Sequence, residues 1–367
     1  MRIAYGIHGY GRGHAGRSLA VLAELTRRHE VLVLAGGDAV ALLQELEVAR
    51  IPVLAFGYRG PRLSALETLR RNAPLLASLA FGGGPVAEVE ARLRQFRPEV
   101  VVSDSEPLVL HAARRLGIPR IGFDHVGIIA WCRPEAPLSD ALQLRRDGAL
   151  YRLLLGRPER VIVSSFFAAP PRWPGVRLVP PVLRERVLRA SPRDGEHLLV
   201  YFNQPRRVTP GMLAELDRVG VPVVVYGAGG PRREGLREHK AIDEQGFVED
   251  LATARAVLST AGHQLASEAL YLGKPLLLCP EDCAEQRLNA RELVRLGVAR
   301  ALEARRLSGD LVRRFLDGNE VQRAAWPRHL RSGNGPALEV LEAELRAAAG
   351  ASRASPLTGR QVAGALR

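Results

Sequence analysis

Two short segments, far apart in the chain, carry residue types at spacings that suit group-transfer chemistry. The first is Gly9-Tyr10-Gly11-Arg12-Gly13-His14, directly after the apolar run RIAYGI. Glycines at alternate positions let the backbone turn tightly and approach a phosphate or sugar, and a helix start favours anions. A histidine at that start is suited to remove a hydroxyl proton as a general base. The second segment runs from Ser259 to Ala290, STAGHQLASEALYLGKPLLLCPEDCAEQRLNA. It predicts a strand end and turn, a short helix carrying Ser267 and Glu268, and a buried strand. A second helix start then carries Gln286 and Asn289. Together these set a helix N-terminus, a carboxylate and amides around one crevice. Such a crevice suits a ligand with both a phosphate and hydroxyl groups, and a nucleotide-sugar is the simplest of that kind.

Other polar residues stand where predicted strands end. Asp104, Ser105 and Glu106 follow EVVV, and Asp124 and His125 follow RIGF. In a parallel sheet both groups open on the same carboxyl edge as the glycine loop. Asp104 is therefore a candidate to orient His14 and stabilise its imidazolium. Ser105, Asp124 and His125 read as strand-end turn residues or helix caps. Arg12 and Arg17 flank the glycine loop and could pair with a phosphate, although in so arginine-rich a chain each reads first as a solvated surface charge. The glycines fall as GxGxG, and Asp38 lies in a loop rather than at the end of the second strand, which argues against a dinucleotide fingerprint.

These residues need a frame. Short β-rich runs alternate with amphipathic helical stretches, the pattern of parallel α/β architecture. Strands are expected at RIAYGI, EVLVLAG, PVLAF (52–56), EVVVSD, PRIGFD and RVIVSS. The chain then becomes proline-rich over PPRWPGVRLVPP (170–181), which reads as a stiff linker. The pattern restarts with HLLVYFNQ, PVVVYGAGG, AVLSTAG and LLLCP. We expect two Rossmann-like domains facing each other across a cleft, over residues 1–180 and 181–349. A last helix from Pro336 to Ala349 could pack back on the first domain, and 350–367 form a disordered tail.

The chain has 367 residues, long enough for two domains, with 47% hydrophobic and 25% charged residues. No run of about 18 apolar residues occurs, so no membrane-spanning helix is expected. Three cysteines cannot make a disulfide framework, and CPEDC lacks partner ligands for zinc, so the expectation is a cytoplasmic protein with no bound metal. The net charge is +13, nearly all of it arginine, with lysine only at Lys240 and Lys274. That charge admits peripheral contact with an anionic membrane. No block of adjacent apolar and basic residues marks where, and no basic tail or aromatic-basic surface marks a nucleic-acid binder.

GYGRGHAGR near the N-terminus, followed at a distance by SEALYLGKP and EQRLNA, resembles the GT-B glycosyltransferases. The resemblance is to family 28 and related enzymes, which include the peptidoglycan N-acetylglucosaminyltransferase and the diacylglycerol glycosyltransferases. It implies an inverting, metal-independent glycosyltransferase that moves a hexose or N-acetylhexosamine from a UDP-sugar to an acceptor hydroxyl, with no cofactor. Glu268 would hold the ribose hydroxyls with Ser267 beside it, and Gly262, His263 and Gln264 would meet the diphosphate. Glu285, Gln286 and Asn289 would contact the transferred sugar, Phe247 and Val248 the base, and Asn203 the first loop of the donor domain. His14, with Asp104, would serve as base on the acceptor side, where Gly11, Arg12, Gly13 and Arg17 also lie. The loop departs from the family's GGxGGH, and FNQPRR is not glycine-rich. A nucleotide-sugar 2-epimerase shares the two-domain fold and is the alternative enzyme, and a nucleic-acid-binding protein is the alternative of another class.

Overall fold

A computed structural model describes residues 1–54, 58–59, 62–63, 65–318 and 332–354. The N-terminal half builds a parallel seven-stranded sheet. Its strands are β1 (Arg2–Ile7), β2 (Glu30–Ala35), β3 (Val48–Arg50), β6 (Val100–Asp104), β7 (Arg120–Asp124), β8 (Arg160–Ser164) and β9 (Val176–Val179). β4 (Tyr58–Arg59) and β5 (Arg62–Leu63) make a separate small hairpin. The sheet order is β3-β2-β1-β6-β7-β8-β9. Chain order reverses between β1 and β6, so a crevice opens at their carboxyl ends.

The second sheet repeats the device. Its strands are β10 (Leu198–Tyr201), β11 (Val223–Tyr226), β12 (Arg232–Glu234), β13 (Arg237–Lys240), β14 (Ala256–Ser259), β15 (Leu276–Leu278) and β16 (Ala299–Ala301). The order is β12-β13-β11-β10-β14-β15-β16, with only β12 antiparallel to its neighbour. Reversal falls between β10 and β14, which places Asn203 and the Gly262 turn at the second crevice. The two crevices face each other as one cleft. Strands such as VVV and LLL read as continuous apolar runs because helices cover both faces. An apolar cluster is continuous from Ile128 and Phe166 of the first half to Ala261 and Leu288 of the second.

Several expectations are corrected. The third strand is Val48–Arg50 instead of 52–56; Ile51 to Leu54 carry no strand, and 55–57 lie outside the described residues. The proline-rich stretch is no free linker, since Val176–Val179 pairs in parallel with β8 as the sheet's edge strand. An edge tolerates flanking prolines because one side needs no ladder donors. The last helix is longer than expected, Asn334–Ala354, so the tail does not begin at Gly350; residues 355–367 lie outside the described ones. That helix packs on β6, β7, β8 and β9 and buries Ala337, Leu341 and Leu345 in the core of the N-terminal sheet.

The chain therefore crosses between halves twice, and the crossings are bonded to each other. Leu183 N–H donates to Asn334 Oδ1 (2.9 Å), and Asn334 Nδ2 donates to the Leu183 carbonyl (2.8 Å). Gly333 N–H donates to the Pro181 carbonyl (2.6 Å). A Cβ at Gly333 would stand 2.0 Å from the Pro180 carbonyl oxygen, so only glycine permits this approach.

Candidate active site

The register of β1 against β6 pairs Ile7 with Asp104, which puts that carboxylate beneath the loop leaving β1. The loop then enters the helix Gly13–Arg28, whose inward stripe includes Ala15, Ser18, Val21, Leu22 and Leu25. His14 Nδ1 lies 2.7 Å from Asp104 Oδ1, a contact between residues 90 positions apart. Arg17, one turn on, donates from Nε to Asp104 Oδ2 (2.9 Å) and from Nη2 to Oδ1 (2.6 Å). Ser18 Oγ adds a bond to Oδ2 (3.1 Å). Burial alone would raise the Asp104 carboxyl, but Arg17 and His14 outweigh it and hold it below the usual range. Asp104 is thus an ionised, fully buried acceptor that fixes the ring of His14. With Nδ1 so engaged, Nε2 is the ring nitrogen left for a substrate proton.

Arg17 corrects the sequence reading. It is 3% exposed and neutralises Asp104, so it is neither a surface charge nor a free phosphate ligand. The glycine loop itself is tied down by Asp38, whose Oδ2 accepts from Gly11 N–H (3.1 Å). Gly11 has φ +78°, and a Cβ there would stand 2.8 Å from Asn203 Nδ2 of the opposite half. Gln204 Nε2 reaches Tyr10 Oη across the same gap (2.9 Å).

Facing the loop is the helix His263–Tyr271, begun by Gly262. Glu268, 1% exposed, is bound at both oxygens by Arg184, Nε to Oε1 at 2.8 Å and Nη2 to Oε2 at 2.5 Å. Gln264 Nε2 adds a bond to Oε1 (2.9 Å). His263 Nδ1 and Gln264 Oε1 are buried without a protein partner, and both residues line the cleft.

A third constellation joins the halves. His125 stacks on His263 with ring centroids 3.6 Å apart, and its Nε2 lies 3.0 Å from Asn289 Oδ1. Asn289 Nδ2 donates to the Ala261 carbonyl (3.0 Å) and to Glu285 Oε1 (2.6 Å). Burial pushes His125 down to about 3 and takes His263 well below the ordinary histidine value, so the stacked rings are neutral. Burial pushes the Glu285 carboxyl up to about 7, against the Asn289 bond.

The cleft has a cavity of about 240 Å³ and brings together most of the residues expected from sequence. Gly11, Arg12, Gly13, His14 and Arg17 form one wall; Asn203, Phe247, Gly262, His263, Gln264, Glu268, Glu285 and Gln286 form the other. Asp104 stands behind His14. Three expected residues do not reach the cleft. Ser267 Oγ donates to the His263 carbonyl one turn back (2.8 Å), Asn289 is buried in the junction, and Val248 lines an adjoining groove. Asp124 is a turn acceptor as expected, taking Gly127 N–H (2.5 Å), and His125 lies in the same strand-end turn but its side chain also spans the two halves. Arg184 went unread because its only signal is a basic residue just after a proline-rich run. Among the described residues no group of three or more His, Cys, Asp or Glu could hold a metal ion.

A family model for glycosyl transferase family 1 matches residues 1–318. Among solved structures, the glycotransferase of kitacinnamycin aligns with a TM-score of 0.62 at 20% identity, covering 97% of this chain and 99% of that one. MurG of Acinetobacter baumannii aligns at 0.57 and 14% identity, over 94% of this chain and 99% of that one. UGT89C1 of Arabidopsis thaliana, solved with UDP, aligns at 0.62 and 15% identity, over 94% and 99%. At these identities the likeness shows the fold, which is GT-B. No curated protein matches the chain in sequence.

Proposed function

The chain belongs to glycosyl transferase family 1, and on that premise we propose that it moves a hexose or N-acetylhexosamine from a UDP-sugar to an acceptor hydroxyl, with inversion and without a metal ion. The observation that carries this reading is the 2.7 Å His14–Asp104 contact, which shares one cleft with the Glu268 helix. UGT89C1 was solved with UDP, which supports a uridine nucleotide as the donor's carrier.

In this mechanism His14 Nε2 takes the acceptor hydroxyl proton while the oxygen attacks the anomeric carbon. The bond from that carbon to the diphosphate oxygen breaks on the opposite face, which inverts the centre. Asp104 stabilises the imidazolium without taking the proton. The amides at Gly262–Gln264 receive the charge growing on the diphosphate, a task a metal performs elsewhere. Glu268 accepts from the ribose diol, Phe247 walls the base, and Glu285 with Gln286 meets the sugar hydroxyls. Three free cysteines fit action in a reducing cytoplasm.

Titration calorimetry with UDP tests the donor side. Glu268→Gln should weaken UDP binding by about 10-fold or more, the effect of losing charge-assisted hydrogen bonds. Unchanged affinity would remove the ribose assignment. Incubation with UDP-GlcNAc and no acceptor separates the epimerase reading, since only an epimerase forms UDP-ManNAc.

We also propose that the acceptor half touches an anionic lipid surface. The helix Leu138–Leu155 turns Leu138 (94% exposed), Leu142 (78%), Leu150 and Leu153 (78%) outward. Arg152 of that helix donates to the Ala130 carbonyl (2.9 Å), near where Arg133 and Arg172 are drawn together by backbone bonds to Pro170 and Trp131, which gathers three arginines at one place on the acceptor half. Leucines that enter a bilayer while arginines meet its phosphates would give both binding terms. The sequence hides this patch because Arg133 and Arg172 are distant in the chain and meet only through the Cys132–Pro171 bridge. The protein should sediment with phosphatidylglycerol vesicles and stay in solution with phosphatidylcholine ones. Changing Leu138, Leu142 and Leu153 to serine should abolish sedimentation, and retained sedimentation would remove the patch from the account.

A further inference from the structure

Arg184 stands where the first crossing meets the donor side of the cleft. It directly follows Leu183, which is bonded in both directions to Asn334 on the returning chain. Its stem lies against the N-terminal helix, where a Cβ at Gly16 would stand 3.4 Å from Arg184 Cδ. Its guanidinium lies 5.8 Å from the Phe247 ring centre and 3.7 Å from Glu244. One side chain, 12% exposed, therefore touches both the acceptor half and the donor half.

Its main partner is the difficulty. Two Arg184 nitrogens and Gln264 Nε2 already donate to Glu268. A carboxylate has about four lone-pair sites, so little capacity remains for the two hydroxyls of a ribose. A diol can engage Glu268 only if the guanidinium moves. A displaced guanidinium in so buried a place needs another anion. The start of the Glu268 helix, about one turn away, is the position assigned above to the diphosphate.

We infer that Arg184 is a hand-over residue: it holds Glu268 until the ribose takes that carboxylate, then passes to the diphosphate. This rests on the reading of Glu268 as the ribose acceptor. A nucleoside that offers a diol but no phosphate has to break the close Arg184–Glu268 pair and leave the guanidinium only the longer 3.7 Å contact with Glu244, whereas a nucleoside diphosphate supplies a full replacement partner.

Calorimetry with uridine and UDP on the full chain tests the idea. Arg184→Met keeps a stem against Gly16 and removes the fork. It should bind uridine about fivefold more tightly and UDP about tenfold more weakly than the parent, in line with the energy of single charge-assisted contacts. Opposite changes for the two ligands are the signature. If both bind more tightly, Arg184 merely blocks the site; if both weaken or neither changes, it is structural; each result overturns the hand-over. Arg184→Lys guards against a folding defect in the methionine variant. It loses the bidentate geometry but keeps the charge, so it should gain uridine affinity while holding UDP close to the parent value. A parent protein that binds neither ligand would refute the nucleotide reading itself, a result distinct from binding without the crossover.

Discussion

His14→Ala should lower kcat by about 10²- to 10⁴-fold and leave the KM for the UDP-sugar within about twofold, because general-base catalysis acts in the transition state. The asymmetry follows from placement. His14 belongs to the wall built by the first sheet, while the groups assigned to the nucleotide, Glu268, Phe247 and the Gly262 turn, belong to the second. Removing the imidazole leaves those groups and the helix-start amides untouched, so residual turnover from positioning and leaving-group stabilisation persists. Steady-state kinetics with donor and acceptor varied separately reads the result. A kcat within a few-fold of the parent would show that another group takes the proton.

The second large effect is on stability. Asp104→Ala leaves Arg17 as a charge with 3% exposure and without its hydrogen-bonded counterion, a loss of about 3–5 kcal/mol for one partner of a buried pair. Urea unfolding should show a lower midpoint with unchanged slope. Adding Arg17→Met should recover most of the midpoint and none of the turnover, since the orphaned charge is gone but His14 still lacks its orienting acceptor. Failure of the double variant to recover would place the cost elsewhere, in Ser18 or in the packing of the first helix.

The same midpoint depends on pH. The Asp104 carboxyl is held low in the folded state, so its contribution is full above the ordinary carboxylate range and is lost as pH falls through its lower folded value. Glu106 and Glu285 behave oppositely, since burial pushes them up to about 8 and about 7. The folded chain then binds more protons than the unfolded one, and stability rises as pH falls from 8. Burial lowers His8, His125 and His263, and also His111, His197 and His239; these six must charge on unfolding in acid and outnumber the raised Glu106, Glu285 and Asp124, so stability falls again below the ordinary histidine value. The midpoint should therefore peak between about pH 6 and 7.

The parts of this site legible in the sequence were those fixed by strand ends. A glycine loop after the first strand and an acidic residue after β6 had to share an edge once the sheet was parallel, so His14 with Asp104 could be read from alternation alone. Arg17 could not, because nothing in GHAGRS distinguishes an arginine facing a buried carboxylate from one facing water. Asn289 shows the same limit. Its spacing from Glu285 puts the two on one helix face, yet its bond to His125 depends on how the two halves meet, which no local pattern records. The strand Val176–Val179 was obscured by prolines that an edge position tolerates.

Because the crossings at Leu183 and Asn334 are bonded side by side, the C-terminal half is a guest inserted into the N-terminal one, entering and leaving through a single doorway. The host holds the described chain on both sides of the insert, and the last helix closes its own core apart from the apolar cluster that the halves share. Inserts whose ends lie together can be exchanged without disturbing their host. The sequence between the two crossings is thus a cassette, by which related chains could trade one half of the cleft and retain the other.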